Sequence, residues 1–277
     1  MQITPRYEGR AVLQLDMHGD PAMPLLRQRR RLGELLATLD VDQWAAPSRC
    51  EDWSVQDVIA HLVSTNQFWT VSLGAGIAGH PTHMLVAFDP VATPAQLVDA
   101  TRGLSWSEIL DQYLQTVDEL ANVVTGLDGA AWSMPTEAPP GHVAAHTVAL
   151  HALWDAWIHE RDIMLPLGLT PTVEPDEVVA SLRYAAAIGP ALRASAGSTL
   201  TGTLGVLTSD PEASFVVEAG TTVVVADTAP APETPCLAGD AVTLLEGLSF
   251  RAPLAHRLSN DDAWLLAGLG EVFERAR

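Results

Sequence analysis

The chain has no lysine: all fifteen of its basic residues are arginine, the usage of a GC-rich genome. Against 34 Asp and Glu residues this leaves a formal net charge of -19. Such an excess of negative charge excludes the electrostatic footprint of a nucleic-acid binder and argues against an anionic membrane as partner. Cysteine is almost missing as well. Cys50 and Cys236 lie far apart in no CxxC pattern, so a disulfide framework is excluded and a reducing cytoplasm fits best. No run of about eighteen apolar residues occurs, so no transmembrane helix is expected. The opening residues, MQITPRYEGRAVLQLD, lack the apolar stretch of a signal peptide. What the chain does have is apolar content, 48% of 277 residues. That is enough for a substantial core, and the length points to two domains.

Periodicity divides the chain in that way. Residues 1–22, with Pro5, Gly9, Gly19 and Pro21, read as irregular. Leu25, Leu32, Leu35, Leu36 and Leu39 then recur at helical spacing, predicting a helix over 24–39. Its run Arg29–Arg31 is expected to be a solvated face in so acidic a chain. Ser54-Val-Gln-Asp57 is a capping box that opens a second helix, with Val55, Val58, Ile59 and Leu62 inward and His61 beside that stripe. Residues 74–104 form a long excursion rich in small residues. A third helix is expected over 105–127, capped by Ser105 and Glu108, with Leu110, Leu114, Val117 and Leu120 on its apolar face. After PTEAPPGH a fourth spans 142–164, and a fifth 174–195. The texture then changes. LTGTLGVLTSD, ASFVVEAG and TTVVVADT are β-branched runs split by turn residues, an antiparallel meander. CLAGDAVTLLEGL and DDAWLLAGLGEVFERA follow as helices. The expected fold is therefore α+β: a helical domain over 1–195 and a small α+β domain over 196–277.

The fourth helix raises the chemical question. In ALHALWDAWIHERDI, the residues His151, Asp155, His159 and Asp162 fall within roughly 80° of each other on the helix surface. The positions around them are aliphatic or tryptophan, so the helix should be buried. A buried carboxylate costs several kcal/mol, roughly, unless it is paired or bound to a metal. One solution is a hydrogen-bonded network in which Asp155 accepts from His151 and His159 and from a neighbouring helix. The other is a divalent ion shared by Asp155 and His159, whose i,i+4 spacing places both side chains over one point. His151 lies about 12 Å along the axis from His159, so a third ligand has to come from another helix, and His61 is the candidate. Two histidines and one carboxylate leave an open coordination position, as catalytic zinc or non-haem iron sites do. Spacing alone leaves network and metal both open.

The ordered residues Trp44, Pro47, Cys50, Trp53, Ser54, Val55, Asp57 and His61 resemble the first signature of the mycothiol-dependent maleylpyruvate isomerase family, a branch of the DinB-like four-helix-bundle superfamily. Asp155, His159 and Asp162 resemble its second signature. The terminal meander followed by AGDAVTLLEGL is similar to the small α+β domain appended in that family. The resemblance implies a zinc or other divalent ion on His61, Asp155 and His159, and mycothiol as thiol cosubstrate. The family commonly has Glu where this chain has Asp155. That arm is shorter by about 1.5 Å, so the ion would sit closer to the fourth helix or be held less firmly. The implied activity is a metal-dependent, mycothiol-using transferase or isomerase, in which a thiolate adds to a small electrophile. A metal-free DinB-like ligand-binding or resistance protein, or a zinc hydrolase of a thiol conjugate, would use the same framework. Asp162 is expected to orient a ligand histidine. His151 would line the substrate pocket, and Arg251 and Arg257 are the candidates for an acidic substrate. Cys50 is expected to be a packed loop residue. No exposed apolar stripe stands out, which leaves a monomer or a homodimer.

Overall fold

The computed structural model describes residues 3–256 and 258–273. A short strand, β1 (Leu13–Leu15), precedes helix α1 (Ala22–Leu36) and the single turn α2 (Val41–Ala45). The long helix α3 (Val55–Ile77) is followed by a 3-10 turn (Met84–Ala87), α4 (Ala92–Asp99), α5 (Trp106–Val124) and the short α6 (Gly129–Trp132). A hairpin, β2 (Pro135–Ala138) and β3 (Gly141–Ala144), leads into α7 (Ala145–Met164) and α8 (Pro175–Ser195). The remainder is β4 (Gly202–Ser209), β5 (Glu212–Ala219), β6 (Val223–Ala226), β7 (Cys236–Gly239), α9 (Ala241–Leu248) and α10 (Trp264–Phe273).

Helices α1, α3, α5 and α7 pack against one another. Both predicted capping boxes form: Ser54 accepts from the Asp57 amide and Ser105 from the Glu108 amide, each answered by the carboxylate. In α1 the stripe Leu25, Leu32, Leu36 is fully buried. Each such leucine contributes roughly 1.5–3 kcal/mol. The α5 face is rotated from the expected one. Ile109, Tyr113, Val117, Leu120 and Val124 are buried, and Leu114 is exposed.

The meander forms as expected, with β4 antiparallel to β5 and β5 to β6. Its edges are corrections. Residues 13–15, expected to be irregular, form β1 and pair in parallel with β6, Leu13 opposite Val223 and Leu15 opposite Val225. Cys236–Gly239, expected to be helical, forms β7 in parallel with β4, and the helix starts only after Asp240 caps it. The five-stranded order is β1-β6-β5-β4-β7. One apolar cluster runs from α7 and α8 into this sheet. Helix α10 crosses α8 at Gly268 and Gly189, where a Cβ on Gly268 would stand 2.0 Å from the Gly189 carbonyl oxygen. Only glycine allows that approach.

Two buried polar features also differ from expectation. The run Arg29–Arg31 is solvated at Arg30 but not at its two neighbours. Arg29 is fully buried, and Arg31 pairs with Glu160 and Glu177, both buried, each at 2.8 Å. Residues 142–144, expected to open the fourth helix, instead close a hairpin with β2, and Glu137 on it is completely buried. Its carboxylate accepts from the Tyr7 and Thr82 hydroxyls, both at 2.6 Å, and from the Met84 and Leu85 amides, both at 2.8 Å. It thereby fixes the 3-10 turn to the hairpin.

Candidate metal centre

His61 is on α3, seven residues past the Ser54 cap, and Asp155 and His159 lie one turn apart on α7. These helices pack directly on one another. The three side chains converge as the sequence predicts: their ligand atoms all lie within 4.8 Å of one another. Asp155 Oδ1 stands 3.6 Å from His159 Nε2 and 3.9 Å from His61 Nε2. Both distances exceed a hydrogen bond. They are close to the separation of about 3.3 Å that two ligands take on a tetrahedral ion with bonds near 2.0–2.1 Å. The shorter aspartate arm does reach the two imidazoles. The rings of His61 and His159 are edge to face with centroids 5.0 Å apart, and Trp53 backs His61 at 5.3 Å.

Of the alternative network, the His151 contact does not form, and His159 and His61 stand beyond hydrogen-bond distance of Asp155. The His151 Nδ1 is taken by the Tyr184 hydroxyl. The ring is enclosed by Trp69, Trp154 and Tyr184, and burial pulls its pKa down to about 4, so it is neutral near pH 7. Asp155 Oδ2 is buried with no hydrogen-bond partner among the described residues. Burial pushes this carboxyl up, but the histidines His61, His159 and His151 outweigh it and hold the group well below the usual carboxylate range. An anionic carboxylate with an unfilled acceptor, two imidazole nitrogens facing it and no ring hydrogen bond between them is a donor set that suits a divalent cation.

The far side of His159 is built as firmly. Its Nδ1 lies 3.0 Å from Asp162 Oδ2, so Nδ1–H donates there and Nε2 is turned toward Asp155 and His61. Burial lowers this imidazole, but Cys50, Asp162 and Asp155 outweigh it and raise it to about 10, so without an ion Nε2 is protonated near pH 7 and a metal would displace that proton. Asp162 has no exposed side-chain surface and collects two arginines. Arg251 donates from Nε at 2.9 Å and Nη2 at 2.9 Å, and Arg49 from Nε at 3.0 Å. Arg49 and Arg161 also hold Glu246 of α9. The residue before Arg251, Phe250, has φ 57, and Asp52, between Cys50 and the Ser54 cap, has φ 63. Left-handed backbone is uncommon outside glycine, and two such turns bring Cys50 and Arg251 to the same carboxylate.

Four of the expected site residues have clear places. His61, Asp155 and His159 form the cluster, and Asp162 orients His159. His151 shares the layer below, packed among rings. Arg251, expected to meet substrate, has its guanidinium engaged by Asp162. Arg257 lies outside the described residues. Cys50 had been expected only to pack. Its Sγ is 3.2 Å from Asp162 Oδ2, 3.6 Å from His159 Nδ1 and 3.7 Å from Arg251 Nη2. Nothing near Cys50 in the sequence signals neighbours more than a hundred residues away. Arg29 did carry a signal: it falls between Leu25 and Leu32 on the buried stripe of α1.

Fold and site together define a class, a helical bundle with two imidazoles and a carboxylate facing one another from adjacent helices, joined to a small mixed sheet. Comparison with known proteins narrows it. Residues 25–164, half of the chain, match the model of the mycothiol maleylpyruvate isomerase N-terminal domain, and the chain belongs to that family. Two uncharacterised proteins of Mycobacterium tuberculosis strains are each 26% identical over 175 residues, covering 63% of this chain and 82% of theirs. The crystal structure of the mycothiol-dependent maleylpyruvate isomerase superposes with a TM-score of 0.58 at 16% identity, covering 84% of this chain and 88% of that one. A histidine-to-alanine mutant of that enzyme gives a TM-score of 0.58 at 15% identity over the same shares. At these identities the likeness is one of fold. No helix among the described residues is long and apolar enough to cross a membrane.

Proposed function

We propose that this chain is a metal-dependent enzyme that activates mycothiol for attack on a small electrophile, as an isomerase or as an S-transferase. The observation that carries the reading is Asp155, buried with an unfilled oxygen and faced by the Nε2 atoms of His61 and His159. Family membership supports mycothiol as the thiol. A zinc or other divalent ion held by His61, Asp155 and His159 would lower the pKa of a thiol in the open position, so that thiolate is available near neutral pH.

The chain's own residues do the rest. Asp162 holds the Nδ1 proton of His159 and turns Nε2 toward Asp155 and His61. Arg49 and Arg251 keep Asp162 anionic, so this arrangement does not depend on solvent. His151, neutral and enclosed by rings, adds an apolar, uncharged wall. With Arg251 occupied by Asp162, Arg257 is the arginine of the C-terminal segment proposed for a substrate carboxylate. In the isomerase reaction the thiolate adds to one carbon of a conjugated cis double bond and its electron pair moves toward the carbonyl. The former double bond rotates, and expulsion of the thiolate restores it as trans. The thiol is not consumed. In the transferase reaction the adduct is protonated and released.

The test is turnover of maleylpyruvate by the full chain with and without mycothiol. Isomerisation with no net loss of thiol supports the isomerase, and a stable thioether product the transferase. Absence of any thiol-dependent product with either this substrate or a general electrophile contradicts the reading.

A further inference from the structure

Arg29 is a fully buried arginine with no carboxylate within ion-pair distance among the described residues. Its Nε donates to Asn66 Oδ1 at 2.8 Å and its Nη2 to the Ala152 carbonyl at 3.1 Å. Its Nη1 is buried and has no partner. The two contacts locate it. Asn66 follows His61 by five residues on α3, and Ala152 precedes Asp155 by three on α7. The guanidinium therefore bridges the two ligand-bearing helices about one turn below the layer in which His61, Asp155 and His159 meet.

A buried charged group with one unfilled atom lies on the next turn of α7. Asp155 turns Oδ1 toward the two histidines and leaves Oδ2 buried and unfilled. A cation with no carboxylate partner and a carboxylate paired only through Oδ1, each with one open hydrogen-bonding position, thus lie in neighbouring turns of one packed interior. Burial pulls Arg29 down, and the charges of Tyr113 and Asp155 work against it. Of the remaining described arginines of α1, Arg27 and Arg31 have carboxylates of their own on α7 or α8.

We propose that Arg29 is a positioning residue for Asp155: its free Nη1–H and the unfilled Oδ2 are joined through buried water, which fixes the carboxylate so that Oδ1 alone faces His61 and His159. A water there has a donor and an acceptor waiting, the condition under which buried water is ordinarily retained. The role of Arg29 rests on the reading of Asp155 as a ligand, but the pairing itself does not need the ion.

The experiment is a double-mutant cycle on the full chain in the presence of chelator. Arg29→Met, Asp155→Asn and the double variant are compared by thermal unfolding. Coupling predicts a double variant whose Tm lies more than about 3 °C above the sum of the two single shifts, because removing one charge strands the other and removing both does not. Additive shifts overturn the proposal. If Arg29→Met does not fold alone but folds together with Asp155→Asn, coupling is demonstrated. If neither folds, Arg29→Lys replaces it: the lysine has to be better tolerated with Asp155 intact than in the Asp155→Asn background, and equal tolerance overturns the proposal. A second readout separates positioning from simple helix packing. With cobalt(II) added, Arg29→Lys should shift the visible absorption of the ion, and Gln28→Ala, which cuts a contact of α1 with the Ala156 carbonyl of α7 and leaves Arg29 its partners, should not. Coupling without metal uptake by the parent chain leaves this pairing standing and removes the metal reading; metal uptake without coupling does the reverse.

Discussion

Replacing Asp162 by Asn tests the support behind His159. Asp162 has no exposed side-chain surface, while Arg49 and Arg251 retain 21% and 25% exposure. The substitution keeps the shape and an oxygen for the Nδ1–H of His159, but takes the carboxylate from Arg251 and leaves Arg49 only with Glu246. Breaking a buried ion pair from one side costs about 3–5 kcal/mol. Water reaches both arginines, so the lower end, about 3 kcal/mol, is expected, or roughly 6–12 °C in Tm for a chain of this size. Burial pushes Asp162 up, and the hydrogen bond and charge of His159 together with Arg251 bring it far below the ordinary carboxylate value. A depressed folded pKa contributes stability that is present above the unfolded value, near 4, and is lost as pH falls through the folded one. The deficit of the variant should therefore be constant from about pH 6 to 8 and shrink below about pH 4. Metal affinity should fall about tenfold, the low end for a group that orients a ligand histidine. Thermal unfolding across pH and zinc titration measure both. A Tm change under about 2 °C, with unaltered zinc affinity, would refute the reasoning.

The Glu137 knot makes a similar prediction far from the site. Glu137→Gln should cost about 2–3 kcal/mol at neutral pH, because its amide meets donors where the carboxylate accepted four hydrogen bonds. Burial raises this carboxyl, and the Thr82, Tyr7, Leu85 and Met84 donors lower it further than burial raises it, so the deficit should narrow in acid; chemical denaturation at two pH values checks this. Gly76→Ala should destabilise by about 2 kcal/mol despite the gain in helix propensity of roughly 1 kcal/mol. A Cβ there would stand 2.4 Å from Thr136 Cγ2 and 2.5 Å from the Pro135 carbonyl oxygen, and unfolding midpoints measure the loss.

Helices were legible wherever a stripe of leucine or valine recurred beneath a capping box, as at Ser54 and Ser105. The meander was legible from its β-branched runs. What escaped was non-local. Leu13–Leu15 is three residues long among glycines and prolines, and its partner β6 lies about two hundred residues away. Cys236–Gly239 reads like the start of the helix that follows, because only its pairing with β4 makes it a strand. The metal-type cluster was half legible: the i,i+4 spacing of Asp155 and His159 gave two members, and family resemblance supported the third. The surroundings were not, since Cys50, Arg49, Arg251 and Glu246 reach Asp162 and Arg161 from separate segments. Arginines on α1 looked solvated because composition outweighed position. Arg29 follows Leu25 by four and precedes Leu32 by three, which places it on the buried face.

Zinc titration of the chelator-treated chain at neutral pH tests the central claim most directly. One equivalent bound by the parent chain, and none by His159→Ala with the fold intact by circular dichroism, is the predicted result. No uptake by the parent chain, or uptake that His159→Ala leaves unchanged, would contradict a metal centre on His61, Asp155 and His159.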